Sequence, residues 1–156
     1  MYIWKRKIKV ECIIFIGIQA SGKSTFYKER FFASHVRINL DMLKTRHREN
    51  AYVTTSIQTG QSFVVDNTNP TKEDRVKYIE AAKGAGYRVI GYYFEPDYQS
   101  SVERNEQRTG RGKVPLVAIK STIGKLQQPE IEEGFDELYV VRTGQGEFIV
   151  ERLVQE

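Results

Sequence analysis

Four short stretches of this chain carry side chains at spacings that chemistry requires. The first, "GIQASGKST" (17–25), sets Gly17, Gly22, Lys23 and Ser24 in the pattern G-x-x-x-x-G-K-[ST]. Glycines there let the backbone wrap closely around phosphates, so that its N–H groups and the N-terminus of a following helix face the anion. Lys23 then bridges the β and γ oxygens, and the Ser24 hydroxyl is a ligand for Mg2+. The donor-binding set is Gly17, Ala20, Ser21, Gly22, Lys23, Ser24 and Thr25, and the expected donor is ATP with Mg2+. The pattern argues for a bound nucleoside triphosphate. It leaves open whether the terminal phosphate goes to water, a metabolite, a protein or a nucleic acid.

The second and third stretches supply carboxylates. Asp41 follows an apolar strand in "RINLD", where it can take a proton from a substrate hydroxyl or serve as a helix N-cap. Asp66 ends another apolar run in "SFVVDNTNP", the shape of a carboxylate that acts on Mg2+ or its water shell, or of an Asx-rich turn. Asn67, Thr68 and Asn69 crowd further hydrogen-bonding groups beside it. The fourth stretch, "ERNEQRTGRGKVP", spaces Arg104 and Arg108 four apart, on one face if helical, with Arg111 and Lys113 following in a glycine-containing loop. Arginines there can close over a triphosphate and stabilise charge on the transferring group; Arg104 with Glu103 and Glu106 can instead form a salt-bridged surface.

These groups need elements to hold them, and the pattern supplies alternating strands and helices. "ECIIFIG" is a continuous apolar run ending in glycine, as in a central parallel strand buried on both faces. "HVRIN", "QSFVVD" and "YRVIGYYFE" read as further strands, and "DELYVV" with "GEFIVERL" as a closing pair, a hairpin around "RTGQG". Between them lie helices: "GKSTFYKERFF"; the interrupted "MLKTRHRENAYVTTSIQTG"; "PTKEDRVKYIEAAKGAG" with its early proline, acidic first turns and terminal glycines; "PDYQSSVERNEQR"; and "PLVAIKSTIGKL". Strands separated by such helices predict a three-layer α/β sandwich with a central parallel sheet of about five strands, and ligands beyond the strands' carboxyl ends. The whole of 1–156 reads as one domain, with a lid region at about 104–114.

Composition sets limits. Apolar residues at 40% and charged residues at 28% of 156 suit a soluble globular domain. The longest apolar run, Cys12–Ile16, is too short to span a membrane. "MYIWKRKIKV" lacks the apolar core and cleavage site of a signal peptide. The single cysteine, Cys12, reads as core packing and fits a reducing cytoplasm. Lys5, Arg6, Lys7 and Lys9 account for the net charge of +4, so overall charge is a weak guide to partners. Two histidines, His35 and His47, with no Cys/His cluster, give no zinc site. Trp4, Tyr27 and Tyr52 could stack on bases or pack internally.

Together the motifs resemble the kinase domain of the 5′-polynucleotide kinases, over nearly the whole chain from "IIFIGIQASGKST" to "GFDELYVV". "INLD" resembles the family's "NRD", whose Asp is the general base on the 5′-hydroxyl, a role that falls on Asp41. "VVDNTNP" is similar to the mammalian form and places the second essential Asp at Asp66. "ERNEQRTGRGKVP" resembles the lid whose arginines hold the donor phosphates, at Arg104 and Arg108. The resemblance implies a P-loop NTPase kinase fold. It also implies ATP-dependent phosphorylation of DNA or RNA 5′-hydroxyl ends, with Asp41, Lys44, Asp66, Asn67, Thr68 and Asn69 on the substrate side and Ser24 and Asp66 on the metal. Two departures fall on the acceptor side. Lys44 stands where the phage form has an arginine for the acceptor phosphate, keeping the charge and losing the bidentate fork, and Leu40 stands where "NRD" has arginine. They favour the alternatives of a small-molecule or other non-nucleic acceptor, as in zeta-toxin-like and metabolite kinases. A non-catalytic ATP-binding module is a further alternative.

Overall fold

The first strand, β1 (Glu11–Ile16), is the axis of the molecule. Cys12 to Ile16 are wholly buried, and the side chains divide by parity as a pleat requires. Cys12, Ile14 and Ile16 enter one core with Phe63, Val65, Tyr78 and Leu138. Ile13 and Phe15 enter another with Phe26, Phe31, Val64 and Phe94. The sequence therefore reads as apolar without alternation because both faces are covered. The computed structural model describes residues 9–153, and for Arg111 the backbone alone. The basic start up to Lys7 and the stacking candidate Trp4 lie outside the described residues.

From β1 the chain passes through the 17–22 loop into α1 (Lys23–Arg30), β2 (Val36–Ile38), α2 (Leu40–Leu43), α3 (Arg46–Thr59) and β3 (Phe63–Val65). It continues through α4 (Lys72–Gly84), β4 (Arg88–Phe94), α5 (Tyr98–Glu106), a 3-10 turn at Gly110–Gly112 and α6 (Leu116–Lys125). After a second 3-10 turn at Ile131–Glu133 it closes with β5 (Glu137–Gly144) and β6 (Glu147–Arg152). The sheet order is β2-β3-β1-β4-β5-β6. The first five are parallel, in the registers Arg37↔Val64, Ile14↔Val65, Ile13↔Ile90 and Tyr92↔Tyr139. β6 returns antiparallel to β5. The predicted hairpin is present: Gln145 and Gly146 both have positive φ, the geometry of a two-residue type I′ turn. The predicted five-strand parallel sheet is thus joined by an antiparallel edge strand.

Helices lie on both faces. Phe26, Tyr27 and Phe31 of α1 and its end pack on one side of β1. Val53 of α3 and Tyr78, Ile79 and Ala82 of α4 pack on the other. Among the described residues no helix is long and apolar enough to cross a membrane. Cys12 is buried in the second of these cores, and burial raises its thiol pKa far above the ordinary range, which fits packing rather than nucleophilic chemistry.

Candidate active site

At the carboxyl end of β1 the loop backbone turns under close constraint. A side chain at Gly17 would place its Cβ 2.8 Å from that of Phe94 on β4. Gly22 has φ +95° and lies under the ring of Phe148 on β6, whose Cε1 would be 3.0 Å from an added Cβ. Ala20 is also left-handed, at φ 56°. The loop is tied outward by Gly17 N–H donating to the Thr68 carbonyl at 3.0 Å. Gly22 is the N-cap of α1 and gives no side-chain cap, and the first turn holds no acidic residue. The first amides of that helix therefore remain donors for an anion.

Lys23 folds back into the loop, donating to the carbonyls of Gly17 at 3.0 Å and Ile18 at 2.5 Å and to Ser21 Oγ at 3.3 Å. Burial pushes its ammonium pKa down to about 8; the carboxylates of Asp66 and Asp41 pull it up and the Arg108 guanidinium pushes it down. Charges from three other stretches of the chain thus act on the Lys23 ammonium. Ser24 and Thr25 sit exposed in the first turn of α1. The Ser24 hydroxyl donates to Asp66 Oδ2 at 3.3 Å, and Asp66 is 2% exposed at the end of β3. A hydroxyl and a carboxylate oxygen side by side fit a hard divalent cation that takes its remaining ligands from water and phosphate. Among the described residues no three His, Cys, Asp or Glu side chains form a cage.

The ends of β2 and β3 are joined to α2 and α3 by side chains. Asn39, not Asp41, caps α2: its Oδ1 accepts from Met42 N–H at 3.0 Å, while its Nδ2 donates to the Asp66 carbonyl at 2.6 Å. Asp41 is left exposed in the first turn, free of the capping role that was its alternative. Asn67 bridges two helices, accepting from Leu40 N–H at 2.9 Å and donating to Glu49 Oε2 at 2.9 Å. Glu49 is fully buried and also accepts from Tyr78 Oη and from Arg46 at 3.0 Å. Burial raises its carboxyl pKa, but Tyr78, Asn67 and Arg46 outweigh this and hold it below the ordinary value. Lys44 ends α2 with φ 75°, exposed.

Two expectations are corrected. Asn69 is a buried frame residue, not a substrate group: its Nδ2 donates to the Phe15 carbonyl at 2.8 Å, which ties the loop to β1. Arg104 and Arg108 do not share a helical face, because α5 ends at Glu106. The Asn105 side chain clamps the base of the lid, donating to the Val114 carbonyl at 2.7 Å and accepting from its N–H at 2.9 Å. Arg104 donates to the Ala20 carbonyl at 3.1 Å and to Thr143 Oγ1 at 3.2 Å, bracing the phosphate loop rather than forming a surface ion pair. Arg108, beyond the helix, donates to the Gly112 carbonyl at 3.2 Å and stays exposed. Tyr27 is a packing residue whose hydroxyl donates to the His35 carbonyl, whereas Tyr52 is half exposed.

Glu49, Asn105 and Arg37 complete the site without standing among the residues that the motifs single out. Arg37 lies on edge strand β2 and donates from Nε to Asp66 Oδ2 at 2.8 Å and from Nη2 to Ser24 Oγ at 2.9 Å. Its signal was a lone cation between Val36 and Ile38, four residues before Asp41.

Residues 42–129 match the family described as AAA domain, a span that covers more than half of the chain and begins after the phosphate loop. The chain is 28% identical over 138 residues to a bifunctional polynucleotide phosphatase/kinase of Schizosaccharomyces pombe, covering 86% of this chain and 34% of the relative. It is 32% identical over 140 residues to a putative bifunctional polynucleotide phosphatase/kinase of Acanthamoeba polyphaga mimivirus, covering 85% and 33%. The chain thus spans about a third of the length of these curated relatives. The polynucleotide kinase resemblance read from the motifs is met by these names. The fold also matches a gluconokinase from Sinorhizobium meliloti, with a TM-score of 0.59 at 19% identity, covering 86% of this chain and 83% of that one.

Proposed function

The chain belongs to the AAA domain family, and from that premise we propose that it is an ATP-dependent kinase that phosphorylates the 5′-hydroxyl end of a polynucleotide. The observation that carries the reading is the buried Asp66 carboxylate beside the Ser24 hydroxyl at the start of α1, with Asp41 exposed on α2, which Asn39 ties to the end of β3. One carboxylate is exposed for an acceptor, one is buried beside a hydroxyl, and one guanidinium is exposed beyond α5. A phosphoryl transfer site needs this division, since its catalysis is mostly positioning and electrostatics. The relatives named as polynucleotide phosphatase/kinases support the acceptor class, and the phosphate loop supports the kinase half of that name.

In this reading the amides of the 17–22 loop and of the first turn of α1 hold the donor phosphates. Lys23 leaves the loop carbonyls for the β and γ oxygens, trading neutral acceptors for charged ones. Asp41 accepts the proton of the attacking hydroxyl. Arg108 stabilises the charge that develops on the transferring group, and Arg104 keeps the loop in register through Ala20. Ser24 and Asp66 would hold Mg2+, which supplies charge neutralisation at the phosphate oxygens.

The test is transfer of the labelled γ-phosphate of ATP to 5′-hydroxyl oligonucleotides, DNA beside RNA. Asp41→Ala is expected to lower transfer by about 10²–10⁴-fold, the range of a general base, while nucleotide affinity stays unchanged. Full activity in that variant overturns the assignment. Leu40 and Lys44 favour a second reading, a small-molecule acceptor on the same frame. Transfer to neither polymer, with ATP turnover on a polyol, moves the conclusion there.

A further inference from the structure

One guanidinium occupies both oxygens that the proposed function gives to the cation. Arg37 Nε donates to Asp66 Oδ2 at 2.8 Å, its Nη2 donates to Ser24 Oγ at 2.9 Å, and Ser24 Oγ donates to the same Oδ2 at 3.3 Å. The three groups close a ring at the joined ends of β2, β3 and α1. Asp66 is 2% exposed, and a carboxylate at that depth requires a counter-charge. Arg37 is the only side chain among the described residues that forms an ion pair with it.

A magnesium ion must sit about 2.0–2.1 Å from its oxygen ligands in near-octahedral geometry. Arg37 Nη2 already holds one lone pair of Ser24 Oγ and Nε one of Asp66 Oδ2, and the charge of an arriving ion repels the guanidinium across the same oxygens. The fork is therefore weakened when the ion ligates both groups. It is free to leave, because β2 is the edge of the sheet and the Arg37 side chain retains 26% exposure, with its Cζ 5.9 Å from the centre of the Tyr27 ring. We propose that Arg37 and the divalent cation are alternative counter-ions of Asp66: Arg37 holds the Ser24–Asp66 pair in the metal-free enzyme, and cation binding is an exchange that expels it. Arg37 is a positioning residue in this scheme. It sets how tightly the site takes a cation, independently of which acceptor is used.

The inference rests on the reading of Ser24 and Asp66 as cation ligands, and the experiment separates the two. Mn2+ is titrated into nucleotide-free protein and the free ion followed by electron paramagnetic resonance; thermal unfolding is measured in EDTA and in excess Mg2+. Arg37→Gln removes the competing charge and is expected to bind Mn2+ about tenfold tighter, which corresponds to about 1.4 kcal/mol. In EDTA it is expected to melt several degrees below the parent, and Mg2+ is expected to restore most of that loss while shifting the parent little. Unchanged or weaker Mn2+ binding by Arg37→Gln overturns the exchange. If Arg37→Gln does not fold without metal, Arg37→Lys, whose single ammonium cannot fork across two oxygens, is expected to bind Mn2+ more tightly than the parent; no gain there overturns the proposal equally. Asp66→Asn tests the underlying reading. Mn2+ affinity undiminished in that variant removes Asp66 from the metal site, whereas a loss there with no gain in Arg37→Gln sinks the exchange alone.

Discussion

The donor and acceptor halves of the proposed site are built by different means. On the donor side the recognition groups are backbone amides. Gly22 begins α1 without a side-chain cap, and no carboxylate in the first turn competes for its N–H groups. α4 shows the opposite design: Thr71 caps it, Asp74 closes the capping box, and acidic residues fill its first turn. One helix end is left open to an anion and the other is sealed. On the acceptor side the geometry comes from side chains reaching across the chain, Asn39 to Asp66, Asn67 to Leu40 and to Glu49, and Glu49 to Tyr78. The contrast teaches that the donor half depends on backbone conformation and the acceptor half on a polar network, so the two should fail in different ways.

The strongest way to break this contrast is Glu49→Ala. It leaves the Tyr78 hydroxyl and the Asn67 amide without their buried acceptor, at about 1–3 kcal/mol each. A stability loss of about 3 kcal/mol is expected by denaturant unfolding, with transfer reduced and nucleotide affinity nearly unchanged in the folded fraction. A parallel loss of nucleotide affinity would show that the halves are not separable. Glu49→Gln, which retains an acceptor, should recover much of the rate.

Gly22→Ala probes the other half. Its φ of +95° is unfavourable for any L side chain, at about 1–2 kcal/mol, and the new methyl meets Phe148. Calorimetry should show at least a tenfold weaker ATP association, and denaturant unfolding a stability loss of about 1–2 kcal/mol. Adding Phe148→Ala separates the causes, because it removes the contact and leaves the backbone strain.

Asn105→Ala opens the base of the lid by removing two hydrogen bonds to Val114. The expected effect is a loss of about 1–2 kcal/mol in stability and a raised KM for ATP with kcat less affected. A change confined to kcat would place Arg108 on the acceptor rather than the donor.

The smallest effect sharpens the role of Lys23. Its ammonium is lowered to about 8 in the free protein, so above that pH the free enzyme is largely neutral there. Phosphate oxygens favour the charged form, and nucleotide binding should therefore take up a proton at pH 9, and little at pH 6. Calorimetry in buffers of different ionisation enthalpy measures this uptake. Affinity should fall as pH rises through 8, and a pH-independent affinity would mean that Lys23 does not reach the phosphates.

What the sequence alone determined is local. The strand-loop-helix of β1 and α1 was legible because glycine positions and a continuous apolar run specify their own geometry within a dozen residues. The hairpin at Gln145 and Gly146 was legible for the same reason, whereas the stretch from Met42 to Gly60 showed that it was interrupted but not where, and the structure sets the break at Lys44 and Thr45. Side chains whose roles depend on partners far along the chain were not. Arg37 meets Asp66 29 residues on, Glu49 meets Tyr78 after 29, and Arg104 meets Ala20 across 84. Asn67 and Asn69, two positions apart in one motif, received different tasks because the end of β3 turns one toward α2 and α3 and buries the other against β1. A residue type shows which hydrogen bonds and charges it can offer; the tertiary structure decides which groups receive them, because burial and proximity are properties of the folded chain.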